Sequence, residues 1–240
     1  RRQRQMCIRD RNYVRPMHCQ RRGDAKAAIA EAPMKLDGAF QSGGQEQMYL
    51  EGQVSLAIPD EDGKMLVYSS TQHPSEGQKL VAEVLNIPLS HVTVQVRRMG
   101  GAFGGKETNA NQWACLAALL ANKTSRPVRL KLSRAEDFIL TGKRHPFLSK
   151  YKVGFLPSGE ILGLELDLFG DCGMSPDLSD AIVDRAMFHI DNCYYLASVT
   201  VRGYRVKTNK VSNTAFRGFG GPQGILAIEN VIEEIASATG

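Results

Sequence analysis

The sequence has few of the features that mark membrane, disulfide-rich or metal-cluster proteins. No apolar run approaches the ~20 residues that a membrane-spanning helix needs, and the run at residues 114–121 is far shorter. The five cysteines form no C-x-x-C pair and are odd in number, so neither a disulfide framework nor a zinc or iron–sulfur site is expected from this chain alone. We therefore expect reduced thiols and a cytoplasmic protein that does not bind membranes.

Most of the chain is also close to electrically neutral. The net charge is +5, but residues 1–22 contain eight arginines and one aspartate, a net charge of +7. The remaining residues carry a net charge of −2, which predicts no basic face for nucleic acid. Residues 1–11 read RRQRQMCIRDR and resemble the translated library-adapter sequence found at ends of gene fragments, so we expect a non-native tail. An arginine-rich RNA-binding arm is the alternative.

What the chain does have is an alternation of helix and strand patterns, with 42% hydrophobic residues and hence enough apolar surface for a core. Strands are predicted at residues 48–58, 64–69, 92–98, 127–132, 150–155, 160–169 and 198–207, and helices at 25–32, 75–85, 107–122, 135–140, 177–189 and 224–238. This order predicts a two-layer α/β fold with a mixed sheet and packed helices. Residues 12–40 are interpreted as a connector from a preceding domain, and residues 41–240 as the main domain.

The strongest local pattern is a glycine-rich turn, GGAFGGKE at residues 100–107, between a predicted strand and a predicted helix. Glycines at such a place can turn backbone N–H groups toward a bound anion. The spacing is close to that of a P-loop, but Glu107 stands where a P-loop has the Ser or Thr that binds Mg²⁺. A P-loop nucleotide-binding module and a turn without a ligand are therefore kept as alternatives.

The same order of strand, glycine turn and helix occurs a second time, with TAFRGFGGP at residues 214–222 before the last helix. Each turn carries phenylalanine and a cation: Phe103 with Lys106 in the first, and Phe216 and Phe219 with Arg217 in the second. This combination suits a ligand with an anionic end and a flat end, because backbone donors and cations bind anions and rings stack on planes. A structural nest around a buried carboxylate is the alternative.

Four segments resemble successive motifs of the molybdenum-binding part of the xanthine dehydrogenase family. They are residues 100–107, 144–147 (RHPF), 184–189 (DRAMFH) and 213–223 (NTAFRGFGGPQ), in matching order and with compatible spacing. The resemblance covers about residues 40–240. It identifies the chain as a fragment of a family member, truncated at both ends, that holds the first molybdenum-cofactor-binding domain.

The resemblance implies hydroxylation of hypoxanthine and xanthine to urate at a molybdenum–molybdopterin centre. Electrons would pass to 2Fe–2S clusters, FAD and NAD on other domains or subunits of a dimeric enzyme. It also implies that the general-base glutamate lies beyond residue 240, in a missing C-terminal half, so that this fragment would be inactive alone. An aldehyde or another N-heterocycle is the alternative substrate.

The resemblance matches Glu107 and Arg185 to a pair that orients the purine and stabilises the transition state, and Phe219 to a ring that stacks on it. A guanidinium can stabilise negative charge that develops on the purine, and a carboxylate can hydrogen-bond its other side. This charged pair favours a purine over an aldehyde. Without the resemblance, Arg185 could pair with Asp180 or Asp184 on a solvated helix face, and Glu107 could complement a helix dipole.

Cofactor contacts follow from the resemblance in the same way. The matching positions are Gln72, Gly101, Ala102, Phe103, Phe216 and Arg217. Gln72, Phe103 and Arg217 would surround the molybdenum without ligating it directly. Ala102 stands where many family members have glycine, which brings a Cβ close to the cofactor. His145, which precedes a proline, is interpreted as a structural residue.

Overall fold

The computed structural model describes residues 12–240, so the tail predicted at residues 1–11 lies outside the described part. The chain forms two compact units. The first unit contains residues 12–45, 145–213 and 218–240, and the second contains residues 46–144 and 214–217. Within the described residues, no helix is both long enough and apolar enough to cross a membrane.

The first unit is built on a five-stranded sheet. Its strands are β1 (His18–Arg22), β2 (Met34–Ser42), β7 (Phe147–Phe155), β8 (Ile161–Gly173) and β9 (Val199–Lys207). They lie in the order β1-β9-β8-β7-β2, and all neighbours are antiparallel except β8 and β9, which are parallel. Residues 12–40 thus hold two strands as well as the predicted helix, where the sequence had indicated a connector. Every residue of β1 is exposed, so this edge strand lacks the apolar alternation that reveals a strand.

Three helices pack on this sheet: α1 (Ala25–Glu31), α5 (Ser179–Phe188) and α6 (Gly221–Thr239). Glycines on two strands allow α5 to lie close to the sheet. A Cβ at Gly170 would lie 2.9 Å from Val183, and one at Gly203 would lie 2.5 Å from Met187. The position of α5 relative to the sheet is therefore set by close packing.

The second unit is built on a four-stranded sheet. Its strands are β3 (Val54–Pro59), β4 (Met65–Ser69), β5 (Val92–Gln95) and β6 (Val128–Lys131), in the order β5-β4-β3-β6. The predicted hairpin is confirmed, because β3 and β4 are antiparallel, while β4 and β5 are parallel. Both sheets of the molecule are mixed, which confirms the predicted α/β class. The sequence had indicated one sheet, because the periodicity of a strand does not show which strand it pairs with.

The helices of the second unit are α2 (Pro74–Leu85), α3 (Asn109–Thr124) and α4 (Arg134–Leu140). Small buried residues of α3, including Ala114, Ala117 and Ala121, let it pack closely on the sheet. The N-terminus of α4 has a capping box, in which Ser133 and Glu136 each accept a hydrogen bond from the other's backbone N–H. The glycine-rich turn lies between β5 and α3, as the sequence predicted.

Candidate functional site

The glycine-rich turn at residues 100–107 has an unusual backbone. Gly101, Phe103 and Gly104 have φ angles of +90°, +53° and +100°. This left-handed region costs a residue with a Cβ about 1 kcal/mol or more, so Phe103 is held in a strained conformation. Its side chain is 48% exposed and lies outside the core. A strained backbone that presents an exposed ring is typical of a ligand-binding segment.

Residues 214–217 pass directly beside this turn, although they are distant in sequence. A Cβ at Gly104 would lie 2.9 Å from the backbone of Ala215, so this approach requires glycine. The backbone N–H of Arg217 donates to the carbonyl of Phe103 at 2.9 Å. The structure thus brings the predicted cofactor residues Phe216 and Arg217 together with the glycine turn.

The side chain of Gln72 is also fixed against the turn. Its Oε1 accepts hydrogen bonds from the backbone N–H groups of Gly104 at 2.9 Å and Lys106 at 3.3 Å. Because both partners are donors, the oxygen must face the turn and Nε2 must point elsewhere. This Nε2 has no hydrogen-bond partner in the described part of the chain, and Gln72 is exposed. The amide therefore presents two N–H donors outward.

Three backbone N–H groups at the beginning of the turn also have no partner within residues 12–240. They belong to Gly101, Ala102 and Phe103. Ala102 is only 3% exposed, and an unpaired N–H on a buried residue is rare because it costs the free energy of a hydrogen bond. By contrast, the N–H of Gly105 closes the turn by donating to the carbonyl of Ala102 at 2.8 Å. The unpaired groups indicate that an acceptor from outside the chain completes this site.

Lys106 does not face this site, contrary to the sequence-based expectation that it binds the anionic end of a ligand. Its side chain is fully buried, and its Nζ donates to the carbonyl of Glu51 and to Ser70 Oγ, both at 2.7 Å. Burial lowers the pKa of the Lys106 ammonium, and the nearby Glu51 carboxylate opposes this shift. A P-loop lysine would reach nucleotide phosphates, so the inward position of Lys106 contradicts the P-loop alternative.

Arg217 and Phe216 have different surroundings. The Arg217 guanidinium is exposed and forms no hydrogen bond or ion pair with residues 12–240. Its carbonyl accepts a 2.8 Å hydrogen bond from Arg144 Nη2, and the Arg144 guanidinium lies 4.2 Å from the ring centre of Phe216. Phe216 therefore forms a cation–π contact within the protein, while Arg217 is available to an anionic ligand.

Glu107 is half-buried at the end of the glycine turn. The backbone N–H of Glu107 donates to the carbonyl of Gly104 at 3.4 Å, so Glu107 is part of the hydrogen-bonded turn. Helix α3 begins only at Asn109, after Thr108 as the N-cap, and has no acidic residue in its first turn. The alternative in which Glu107 serves as a first-turn acid for the helix dipole is therefore wrong.

The first unit contains Arg185, near the C-terminus of α5. Its side chain is exposed and makes no hydrogen bond or ion pair with a described residue. The acids that could have paired with it, Asp180 and Asp184, both pair with the fully buried Arg205. The alternative of a simple surface ion pair is therefore contradicted, and Arg185 is available to bind a ligand.

Phe219 lies in the first unit in a turn that resembles the one at Phe103. Its φ is +48°, and the glycines on either side, Gly218 and Gly220, both have φ of +93°. A Cβ at Gly220 would lie 2.0 Å from the carbonyl oxygen of Ile182 on α5. The turn that presents Phe219 therefore packs directly on the helix that carries Arg185.

His145 is fully buried in the first unit, and its Nε2 forms a 2.7 Å hydrogen bond with Ser179 Oγ at the start of α5. This contact agrees with the structural role predicted for it. In the second unit, three buried polar residues beside the glycine turn, Tyr49, Gln53 and Asp137, were not predicted from the sequence. They lie in separate segments, and only their burial reveals them.

The unpaired donors described for the second unit are amide N–H groups and the Arg217 guanidinium. Such groups bind anions and other oxygen acceptors. No group of three or more His, Cys, Asp or Glu side chains that could hold a metal ion occurs among residues 12–240. The family model described as a molybdopterin cofactor-binding domain matches residues 8–240. The chain belongs to the molybdopterin cofactor-binding domain family.

Relatives of this molybdopterin-binding domain include the xanthine dehydrogenase of Calliphora vicina, which is 46% identical over 91% of this chain. The nicotinate hydroxylase of Emericella nidulans is 44% identical over 90% of the chain. The chain spans 16% of the length of each of these proteins. A solved structure of the aldehyde oxidoreductase from Desulfovibrio gigas matches with a TM-score of 0.83 and 27% identity, over 93% of this chain and 25% of that one. The resemblance to the xanthine dehydrogenase family is confirmed.

Proposed function

We propose that this chain supplies part of the cofactor and substrate site of a molybdenum hydroxylase that oxidises hypoxanthine and xanthine to urate. The observation that carries the proposal is the set of unpaired donors at the glycine turn, in a domain of the molybdopterin-binding family. These donors are the backbone N–H groups of Gly101, Ala102 and Phe103 and the outward Nε2 of Gln72. They are joined by the exposed guanidinium of Arg217.

These residues fit an anionic molybdenum–molybdopterin cofactor, because they are donors and the oxygen atoms of such a cofactor are acceptors. When bound, the cofactor supplies oxygen transfer from water and takes up the two electrons of the hydroxylation. Gln72 Nε2 and the N–H groups of residues 101–103 would donate hydrogen bonds to oxygen atoms around the molybdenum. Arg217 would add a positive charge, and Phe216 would hold its segment in place through the contact with Arg144.

The substrate residues act by charge and orientation. Arg185 can stabilise the negative charge that develops on a purine during hydroxylation, since its guanidinium has no carboxylate partner among the described residues. Glu107 would hydrogen-bond another part of the purine. The ring of Phe219, fixed in a strained turn, would stack on the heterocycle and limit its orientation.

The proposal extends to parts of the enzyme outside this chain. It includes 2Fe–2S clusters, FAD and NAD on other domains or subunits, a general-base glutamate in a further C-terminal segment, and a dimeric, cytoplasmic enzyme. The length of the relatives, of which this domain is 16%, leaves room for these parts. We also propose that the domain assigned to residues 41–240 includes residues 12–40, because β1, α1 and β2 belong to the first unit.

The test uses the full-length enzyme and compares wild type with Arg185→Met for xanthine and for an aromatic aldehyde. We expect kcat/KM for xanthine to fall about 100-fold, which corresponds to about 3 kcal/mol of transition-state stabilisation, while aldehyde oxidation is retained. Arg129→Met, which changes another exposed arginine, on β6, is the control and should leave both activities unchanged. An equal loss with both substrates would show that Arg185 is structural.

A second candidate is hydroxylation of another N-heterocycle, favoured by the 44% identity to a nicotinate hydroxylase, close to the 46% found for a xanthine dehydrogenase. Arg185 could equally bind the carboxylate of a heterocyclic acid. Adding nicotinate to the same assay separates the two. A kcat/KM for nicotinate above that for xanthine, lost in Arg185→Met, would support this second function.

A further inference from the structure

A buried polar network lies behind the glycine turn in the second unit. Its centre is Asp137 on α4, a carboxylate that is 1% exposed. The Asp137 carboxylate accepts hydrogen bonds from the Tyr49 hydroxyl at 2.6 Å and the Gln53 backbone N–H at 3.1 Å, while the Thr141 hydroxyl is shared between the Asp137 carbonyl at 2.6 Å and the carboxylate at 3.0 Å. Two full donors and the shared threonine hydroxyl stabilise a carboxylate that would otherwise be costly to bury.

The direction of each hydrogen bond follows from the groups involved. The Asp137 carboxylate only accepts, so the Tyr49 hydroxyl donates to it and can accept in turn from Gln53 Nε2 at 3.1 Å. The second N–H of Gln53 Nε2 donates to the carbonyl of Gly105 at 3.0 Å. Burial and the bond to Asp137 raise the pKa of Tyr49, which keeps its hydroxyl a donor. Gln53 therefore donates to both sides of the network, to the Gly105 carbonyl on one side and through the Tyr49 hydroxyl to Asp137 on the other.

Gly105 is the link between this network and the cofactor donors. It lies between Gly104 and Lys106, whose N–H groups hold Oε1 of Gln72. A Cβ at Gly105 would lie 2.8 Å from the Tyr49 ring, so the ring packs directly on the turn. The peptide groups that orient Gln72 are thus held from behind by both packing and hydrogen bonding.

We propose that Tyr49, Gln53 and Asp137 are positioning residues, which orient Gln72 and the unpaired N–H groups of the turn for the cofactor. They act through the Gly105 carbonyl and touch neither cofactor nor substrate. The part of this inference that concerns the cofactor rests on the proposed function. The part that concerns the turn does not.

The experiment uses the full-length enzyme with Tyr49→Phe, Gln53→Met and both together. Each variant keeps a side chain of similar shape and removes hydrogen bonds. Tyr151→Phe is the control, because Tyr151 is a buried tyrosine of the first unit whose hydroxyl has no hydrogen-bond partner among the described residues. If the Tyr49→Phe variant does not fold, the same measurements on Gln53→Met alone test the inference.

The first measurement is hydrogen–deuterium exchange of residues 100–107 in enzyme produced without molybdenum. We expect the amides of Gly104 and Lys106 to exchange about tenfold faster in each single variant, because their acceptor Gln72 is less firmly held. The double variant should exchange no faster than the faster single variant, since both residues act in one network. Wild-type exchange in both single variants, or additive effects, would overturn the inference.

The second measurement is molybdenum content per enzyme after prolonged dialysis of enzyme produced with molybdenum. We expect a loss in the Tyr49→Phe and Gln53→Met variants and none in Tyr151→Phe. Faster exchange with undiminished molybdenum would overturn the link between this turn and the cofactor, and with it that part of the proposed function. The hydrogen–deuterium exchange measurement needs neither substrate nor cofactor. Its result therefore does not depend on whether the enzyme oxidises purines.

Discussion

Two turns of this molecule hold a phenylalanine in the left-handed conformation beside glycines, but they are supported differently. In the second unit, the turn around Phe103 is tied by side chains, since Gln72 accepts from two of its N–H groups and Glu51 accepts from the N–H of Gly100. In the first unit, the turn around Phe219 is packed against the backbone of α5. One backbone conformation can therefore be maintained by hydrogen bonds or by steric fit, and mutations should distinguish the two.

The largest effect is expected for Gly220→Ala. Its Cβ would lie 2.0 Å from the carbonyl oxygen of Ile182 at a φ of +93°, so we expect a loss of about 4 kcal/mol from clash and backbone strain together. Thermal unfolding of the full-length enzyme measures it. Gly159→Ala is the matched control, because its φ is +86° but the nearest atom lies 4.0 Å away. Equal losses in the two variants would show that strain alone, and not packing on α5, supports this turn.

A smaller loss is expected for Gly104→Ala in the other turn. Its φ is +100° and its Cβ would lie 2.9 Å from Ala215, so we expect about 3 kcal/mol of destabilisation and a lower molybdenum content. Gly63→Ala, at a φ of +69° with no atom within 4 Å, provides the control for strain without a clash. Unfolding temperatures that coincide for the two variants would contradict the close approach of residues 214–217.

The smallest effect concerns Glu51, which supports only the turn in the second unit. Burial raises the pKa of its carboxyl, but hydrogen bonds from Gly100 and Ser70 and the charge of Lys106 outweigh this, so the pKa is lower than usual. A lowered pKa gives stability that is present above the ordinary carboxyl pKa of about 4.3 and is lost as the pH falls through the folded value. Because Glu51 is partly exposed, Glu51→Gln should cost less than about 1 kcal/mol at neutral pH.

This small difference should vanish on acidification. Unfolding temperatures of wild type and Glu51→Gln, measured from neutral pH to about pH 3, should converge as the carboxylate is protonated. Glu160→Gln, which changes an exposed acid of the first unit, should show no such trend. A difference that grows at low pH would mean that the Glu51 carboxylate does not stabilise the turn.

Much of the fold could be predicted because its signals are local. The strand before the glycine turn was evident from its alternating valines, and the helix predicted at residues 135–140 is found as α4. Strand β1 was missed because an exposed edge strand needs no apolar side chains. The division into two units was missed because the chain returns to the second unit for residues 214–217, and no local pattern records such a return.

The two glycine turns and the family can be recognised in the amino-acid sequence, because glycine positions and motif order are properties of the chain. Which groups at these sites can bind a ligand depends instead on the folded structure. Lys106 points into the core, Arg185 has no acidic partner among residues 12–240 because Asp180 and Asp184 pair with Arg205, and Gln72 turns its Nε2 outward. Each of these outcomes depends on burial and pairing between residues distant in sequence, which only folding brings together.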